Sequence, residues 1–145
     1  MKRMIIAYGL SIIVLSCNKD NNTESWSFTW THQNVSHTAV AADAYLSASG
    51  PIIGPNEIVA TDRSIPTNNY RIDIKLSSLA PNTYSVGTVS NTFDYIDDLG
   101  FNLTSVQGTV TISLNSNSKL SGSFSVNLNN TTTITGAFNK INLHP

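Results

Sequence analysis

The chain has 145 residues, of which 12% are charged, and eight Lys and Arg against nine Asp and Glu give a formal net charge of −1. That length fits one domain with its own core, and the sparse, balanced charge excludes nucleic acid as a partner, which requires clustered Lys and Arg. The single cysteine, Cys17, excludes an internal disulfide and any cysteine-rich zinc site.

Lys2 and Arg3 precede an apolar run, Met4–Leu15, interrupted only by Tyr8, Gly9 and Ser11. A membrane-spanning helix takes roughly 20 apolar residues. This run is shorter and follows a basic start, which reads as a signal-peptide helix over residues 1–16. Val14, Leu15 and Ser16 lead into Cys17. This resembles the lipobox of bacterial lipoproteins, in which the peptidase cuts before a lipid-bearing cysteine. The alternative is an ordinary signal peptide with an incidental cysteine. On the lipoprotein reading Cys17 is the lipidation site and the membrane is a partner through its acyl chains. Each buried CH₂ contributes about 0.8 kcal/mol, and two or more chains hold stably. The cysteine is then a thioether, and no thiol remains for other chemistry. Without Lys2 and Arg3 the balance is six basic against nine acidic residues, a formal −3.

Residues 17–25 form the lipidated end and a polar tether, Asn18–Ser25, without apolar periodicity. Residues 26–145 are read as one β-domain. Trp26, Phe28 and Trp30 alternate with small polar residues, a strand pattern. His37–Ser47 predicts one or two strands, with a short helix as the alternative. Ser49–Asn56 is a Gly/Pro-rich loop, and Glu57–Thr61 is a short strand. Tyr70, Ile72, Ile74 and Leu76 alternate with Arg71, Asp73 and Lys75, which gives one buried and one charged face. A turn at Leu79–Asn82 precedes strands at Thr83–Gly87 and around Phe93 and Tyr95.

The last third predicts a β-meander. Val110, Ile112 and Leu114 share a face, as do Phe124, Val126 and Leu128, with turns at Asn115–Lys119 and Asn129–Asn130. The final strand, Thr132–Leu143, changes parity between Phe138 and Ile141. A one-residue shift in a period-two pattern requires a β-bulge, placed near Asn139 and Lys140. Eight to ten short strands at regular spacing predict an all-β fold, an antiparallel β-sandwich or barrel.

The runs Gly108–Leu114, Leu120–Val126 and Ile134–Leu143, with Ile74–Tyr84 before them, are similar to small Bacteroidota lipoproteins of unknown function. The likeness covers about half of the mature chain and is carried by Gly and Phe at set places in the meander. It implies a lipid anchor and an all-β domain. It implies no reaction and no catalytic residues. In that group a Lys followed by acids after the cysteine marks export to the cell surface. Lys19 and Asp20 match this, whereas Asn21 and Asn22 stand where acids are expected.

Trp26 and Trp30 share a strand face about 7 Å apart per step. Exposed, they stack on sugar rings; buried, they are core, and core is the favoured reading. Asp94, Asp97 and Asp98 lack the alternation of a calcium loop and read as solvated turn acids. His32, His37 and His144 lack the spacing of a zinc site. No Gly-x-Ser-x-Gly elbow is present, and the only mature glutamates, Glu24 and Glu57, do not make a glycosidase pair. The expectation is therefore a non-enzymatic, lipid-anchored binding module without a cofactor, at the outer membrane or cell surface, with a glycan or an envelope protein as partner. The alternatives are an assembly component acting through protein contacts and, third, a small hydrolase.

Overall fold

The computed structural model describes residues 25–47, 55–63 and 69–145. The signal peptide, Cys17, most of the tether and most of the Gly/Pro-rich loop lie outside the described residues. Ten strands are present among the described residues: β1 (Ser27–His32), β2 (Val35–Thr38), β3 (Ala41–Tyr45), β4 (Asn56–Asp62), β5 (Tyr70–Leu76), β6 (Asn82–Val86), β7 (Thr92–Ile96), β8 (Asn102–Ser116), β9 (Lys119–Leu128) and β10 (Thr133–His144). No described residue is helical, so His37–Ser47 resolves into strands. Between the sandwich and barrel alternatives, the hydrogen bonding selects a barrel.

Seven strands close the ring in the order β10, β3, β4, β5, β7, β8, β9 and back to β10. Every link is antiparallel except β10 with β3, which pair in parallel through Asn142↔Asp43, Leu143↔Ala44 and His144↔Tyr45. Two long strands make closure possible. The N-terminal half of β10 pairs with β1 through Ile134–Asn139, and its C-terminal end takes β3 on the same side. Likewise β8 takes β7 through Asn102–Thr104 and β6 through Gly108–Ile112. The β1–β2 hairpin and β6 are thus wings added to the barrel wall.

Local sequence explains the corners. Gln33 and Asn34 both have positive φ, as do Asn117 and Ser118. Each pair joins two antiparallel strands, the left-handed two-residue hairpin turn that matches strand twist. The register of β10 against β9 shifts between Phe138 and Ile141, where Lys140 adopts φ 51°. The bulge therefore sits where the parity change requires it. Its position marks the handover of β10 from β1 to β3.

The interior is apolar. Ile72, Ile74 and Leu76 are fully buried, as are Phe28, Phe93 and Ile134. Phe28 stacks on Phe138 at 5.6 Å and lies 5.8 Å from Phe124, which is 5.1 Å from Phe93. Fully burying such a side chain contributes roughly 1.5–3 kcal/mol.

Candidate functional site

At one end of the barrel the inward faces stop being apolar. β4 runs inward through Ile58 and Ala60, and its next inward position is Asp62. β5 starts beside it with Tyr70, which pairs with Asp62 across the ladder. β7 ends with Tyr95 and Ile96, and the acids Asp97 and Asp98 follow. β1 ends with His32, and β2 places His37 opposite Trp30. Antiparallel pairing brings all these strand ends to the same place.

There they surround a cavity of about 210 Å³, lined by residues that include His32, His37, Tyr70, Tyr95, Asp97 and Asp98. Four of its lining side chains are aromatic rings in mutual contact. The His37 ring stacks on Trp30 at 5.1 Å with 13° between planes. Tyr70 lies 4.4 Å from the same ring, tilted by 58°. Tyr70 stacks with Tyr95 at 6.1 Å and 8°, and His32 meets Tyr95 edge-on at 4.8 Å. Such contacts fix ring positions beyond area burial alone.

Polar contacts then orient the rings. His37 Nδ1 lies 3.5 Å from the Asp62 carboxylate, and both side chains are buried. His32 Nε2 lies 2.9 Å from the Thr132 hydroxyl of the β9–β10 loop. Asp97 Oδ1 accepts the backbone N–H groups of Leu99 and Phe101, so this acid shapes its own loop. Burial lowers the His32 pKa, aided by His37 and opposed by Asp97, so the imidazole is neutral at pH 7. Burial raises the Tyr70 pKa, and Asp98 adds to this through its charge and a hydrogen bond, followed by Asp97 and Asp62. The Tyr70 hydroxyl thus stays protonated, on the same cavity wall as Asp97 and Asp98. Burial also raises the Tyr95 pKa strongly; the facing Trp30 indole opposes this in part. The Trp30 Nε1 and Tyr95 Oη atoms are nonetheless buried without a hydrogen bond of good geometry.

Trp30 is 2% exposed and belongs to the core beneath this cavity, whereas Trp26, just before β1, is 39% exposed. The two do not form a shared exposed platform, because pairing of β1 to β10 turns Phe28 and Trp30 inward and leaves Trp26 outside the ladder. Trp30 is therefore removed from any sugar-stacking face. His32 and His37 do come together with Asp97 and Asp98. Asp94 faces outward beside Asp73 on β5. His144 sits apart, 3.0 Å from Asp43 and stacked on Tyr45. Glu57 lies on the outer face of β4 opposite Lys75. Among the described residues no three His, Cys, Asp or Glu side chains come close enough to share a metal ion. Cys17 and Glu24 lie outside the described residues.

Sequence reasoning did not find Asp62, Tyr70 or Tyr95 as site residues. A signal existed: each continues the inward parity of an apolar strand at the same end of the barrel. A polar group at an inward position demands a partner or a function. Comparison with protein families, curated proteins and solved structures finds no match to this chain.

Proposed function

We propose that the protein is a lipid-anchored module of the outer envelope or cell surface that binds a small ligand in the open end of its barrel, without catalysing a reaction on it. The single observation carrying this reading is the cavity. Barrel mouths are recurrent ligand sites, where rigid strands hold a few convergent polar groups over an apolar floor. Here strand ends and their loops supply the walls, and ring stacking fixes them before any ligand arrives. The non-enzymatic half of the reading rests on the sequence, which has no Gly-x-Ser-x-Gly elbow and no glycosidase pair among its glutamates; among the described residues no Ser, Cys or Lys lines the cavity. Asp97 already serves its own loop. The assembly reading would favour a long bare edge strand as a docking template. The edge strands among the described residues are β2 and β6, of four and five residues. The anchor half of the proposal rests on the lipobox-like residues before Cys17 and on the resemblance to Bacteroidota lipoproteins.

Two measurements test the two halves. Cys17→Ala is expected to abolish palmitate labelling and to move the protein from the membrane fraction into the aqueous one; unchanged labelling contradicts the anchor. In the mature protein, a small-molecule thermal-shift screen is expected to yield stabilising compounds whose effect is lost in Tyr70→Leu. Stabilisers indifferent to that substitution contradict the cavity as the binding site.

A further inference from the structure

We infer that the cavity at the barrel mouth takes a small organic ammonium group, held by the faces of its aromatic wall and neutralised by Asp97 and Asp98. This rests on the reading that the cavity is the module's binding site.

Four observations lead there. The first is the wall: the buried rings of Tyr95 and His37 hold the part-buried rings of His32 and Tyr70 in place at centroid distances of 4.4–6.1 Å, and it is His32 and Tyr70 that face the guest. Aromatic faces attract organic cations through the ring quadrupole, most strongly when the cation is desolvated. The second is charge. Among the described residues the lining includes two aspartates and no Lys or Arg. His32 is held neutral by burial, and His37 faces its own carboxylate, Asp62, at 3.5 Å. An anion would meet uncompensated repulsion, and a wholly apolar guest would gain nothing from the two carboxylates at the rim. The third is volume. About 210 Å³ is below the roughly 300–1,000 Å³ of sites for drug-sized molecules. It suits a head group rather than a whole oligosaccharide or acyl chain. The fourth is the ligand set. With no three metal-binding side chains in reach of one another among the described residues, a bare metal ion lacks a cage, whereas an alkylated ammonium needs none.

Beneath the wall, the Trp30 indole N–H and the Tyr95 hydroxyl are buried without well-formed hydrogen bonds. The Asp98 carboxylate, at an exposed position beside the Tyr70 hydroxyl, is placed to meet a cation on its way in.

The test is isothermal titration of the mature lipidated protein in detergent micelles. The probes are tetramethylammonium, choline, the neutral isostere 3,3-dimethylbutan-1-ol, and acetate. Both ammonium probes are expected to bind saturably, at least about tenfold tighter than the neutral isostere. Asp98→Asn and Tyr70→Leu are each expected to weaken ammonium binding by about tenfold, with Tyr70→Phe losing less than Tyr70→Leu because the ring remains. Asp98 is exposed, so Asp98→Asn keeps the test decisive even if Tyr70→Leu does not fold. Equal binding of the neutral isostere, or binding of acetate, overturns the ammonium inference while leaving a ligand-binding mouth in place. Ammonium binding unaffected by Asp98→Asn and by Tyr70→Leu puts the cation elsewhere and overturns it as well. Absence of ammonium binding overturns it outright.

Discussion

At Lys140 the backbone of β10 turns to φ 51°, and the bulge it creates takes that residue's N–H out of the ladder. Ser121 of β9 meets it. The Ser121 hydroxyl accepts the Lys140 N–H at 2.9 Å and donates to the Asn139 side chain at 3.2 Å. Ser121 is itself buried. Removing this hydroxyl takes a partner from a half-buried donor, which typically costs ~0.5–1.5 kcal/mol. Ser121→Ala is expected to lower unfolding stability by that amount in a urea titration, with the fold retained. Asp94 illustrates the opposite sign. Burial raises its pKa above the ordinary 3.8, and Asp73, its cross-strand partner, adds to this against the pull of Lys75. A carboxyl with a raised folded pKa binds its proton more tightly when folded. Stability therefore falls as pH rises through the window above 3.8, where the unfolded chain ionises first. Asp94→Asn is expected to raise the unfolding free energy at pH 7 by the ~0.2–1 kcal/mol typical of such a cross-strand pair, read as a higher melting temperature. The gain disappears once the pH falls below the ordinary value, where the native carboxyl is already neutral. A gain that persists in acid assigns the effect to something other than charge.

Two glycines and two phenylalanines lock β9 to β10. Gly136 lies opposite Phe124 in the ladder, and Gly122 lies opposite Phe138. A β-carbon at Gly136 would collide with the Phe124 ring and the Thr29 carbonyl. One at Gly122 would collide with the Phe138 ring and the Thr111 carbonyl. Each ring thus covers the bare backbone of the other strand, a known way of rescuing glycine within a sheet. The Gly and Phe positions that carry the family resemblance in the meander therefore have a packing reason. Gly136→Ala and Gly122→Ala are each expected to destabilise by ~1–3 kcal/mol, the usual cost of overpacking, measured by thermal unfolding. An unchanged melting temperature contradicts the contact. Much at this scale was legible in the sequence. Alternation located β5 and β9, and the parity change at Phe138–Ile141 located the bulge, because period-two patterns record which face is buried. The extent of β8 was not legible. Its first half alternates weakly, with Val106 exposed, since no residue of Asn102–Thr109 is buried.

For the whole molecule, closure was the hidden step. It depends on β3, with its small buried residues Ala42 and Ala44, pairing in parallel with the last residues of β10, at the far end of the chain. Local pattern carries no record of such a pairing. The site was hidden for the same reason. Asp62, Tyr70 and Tyr95 meet through the β4–β5 and β5–β7 ladders, but His32 and His37 join them only when closure brings β1 and β2, carried by β10, to the same end. The barrel thus supplies a rigid frame with one polar, aromatic end. In the proposed arrangement, an anchor at Cys17 holds that frame at the membrane, and the mouth receives the ligand.

Trp30 offers the most direct test of a ligand-binding mouth, since it stacks on His37 at the base of the cavity and the chain has only one other tryptophan, Trp26. In a Trp26→Phe background, Trp30 fluorescence reports occupancy of the mouth. Titration of the mature protein with a panel of small cationic, neutral and anionic compounds is predicted to give a saturable change with at least one class, abolished by Tyr70→Leu. A folded protein whose Trp30 signal stays flat across the whole panel contradicts a ligand-binding mouth.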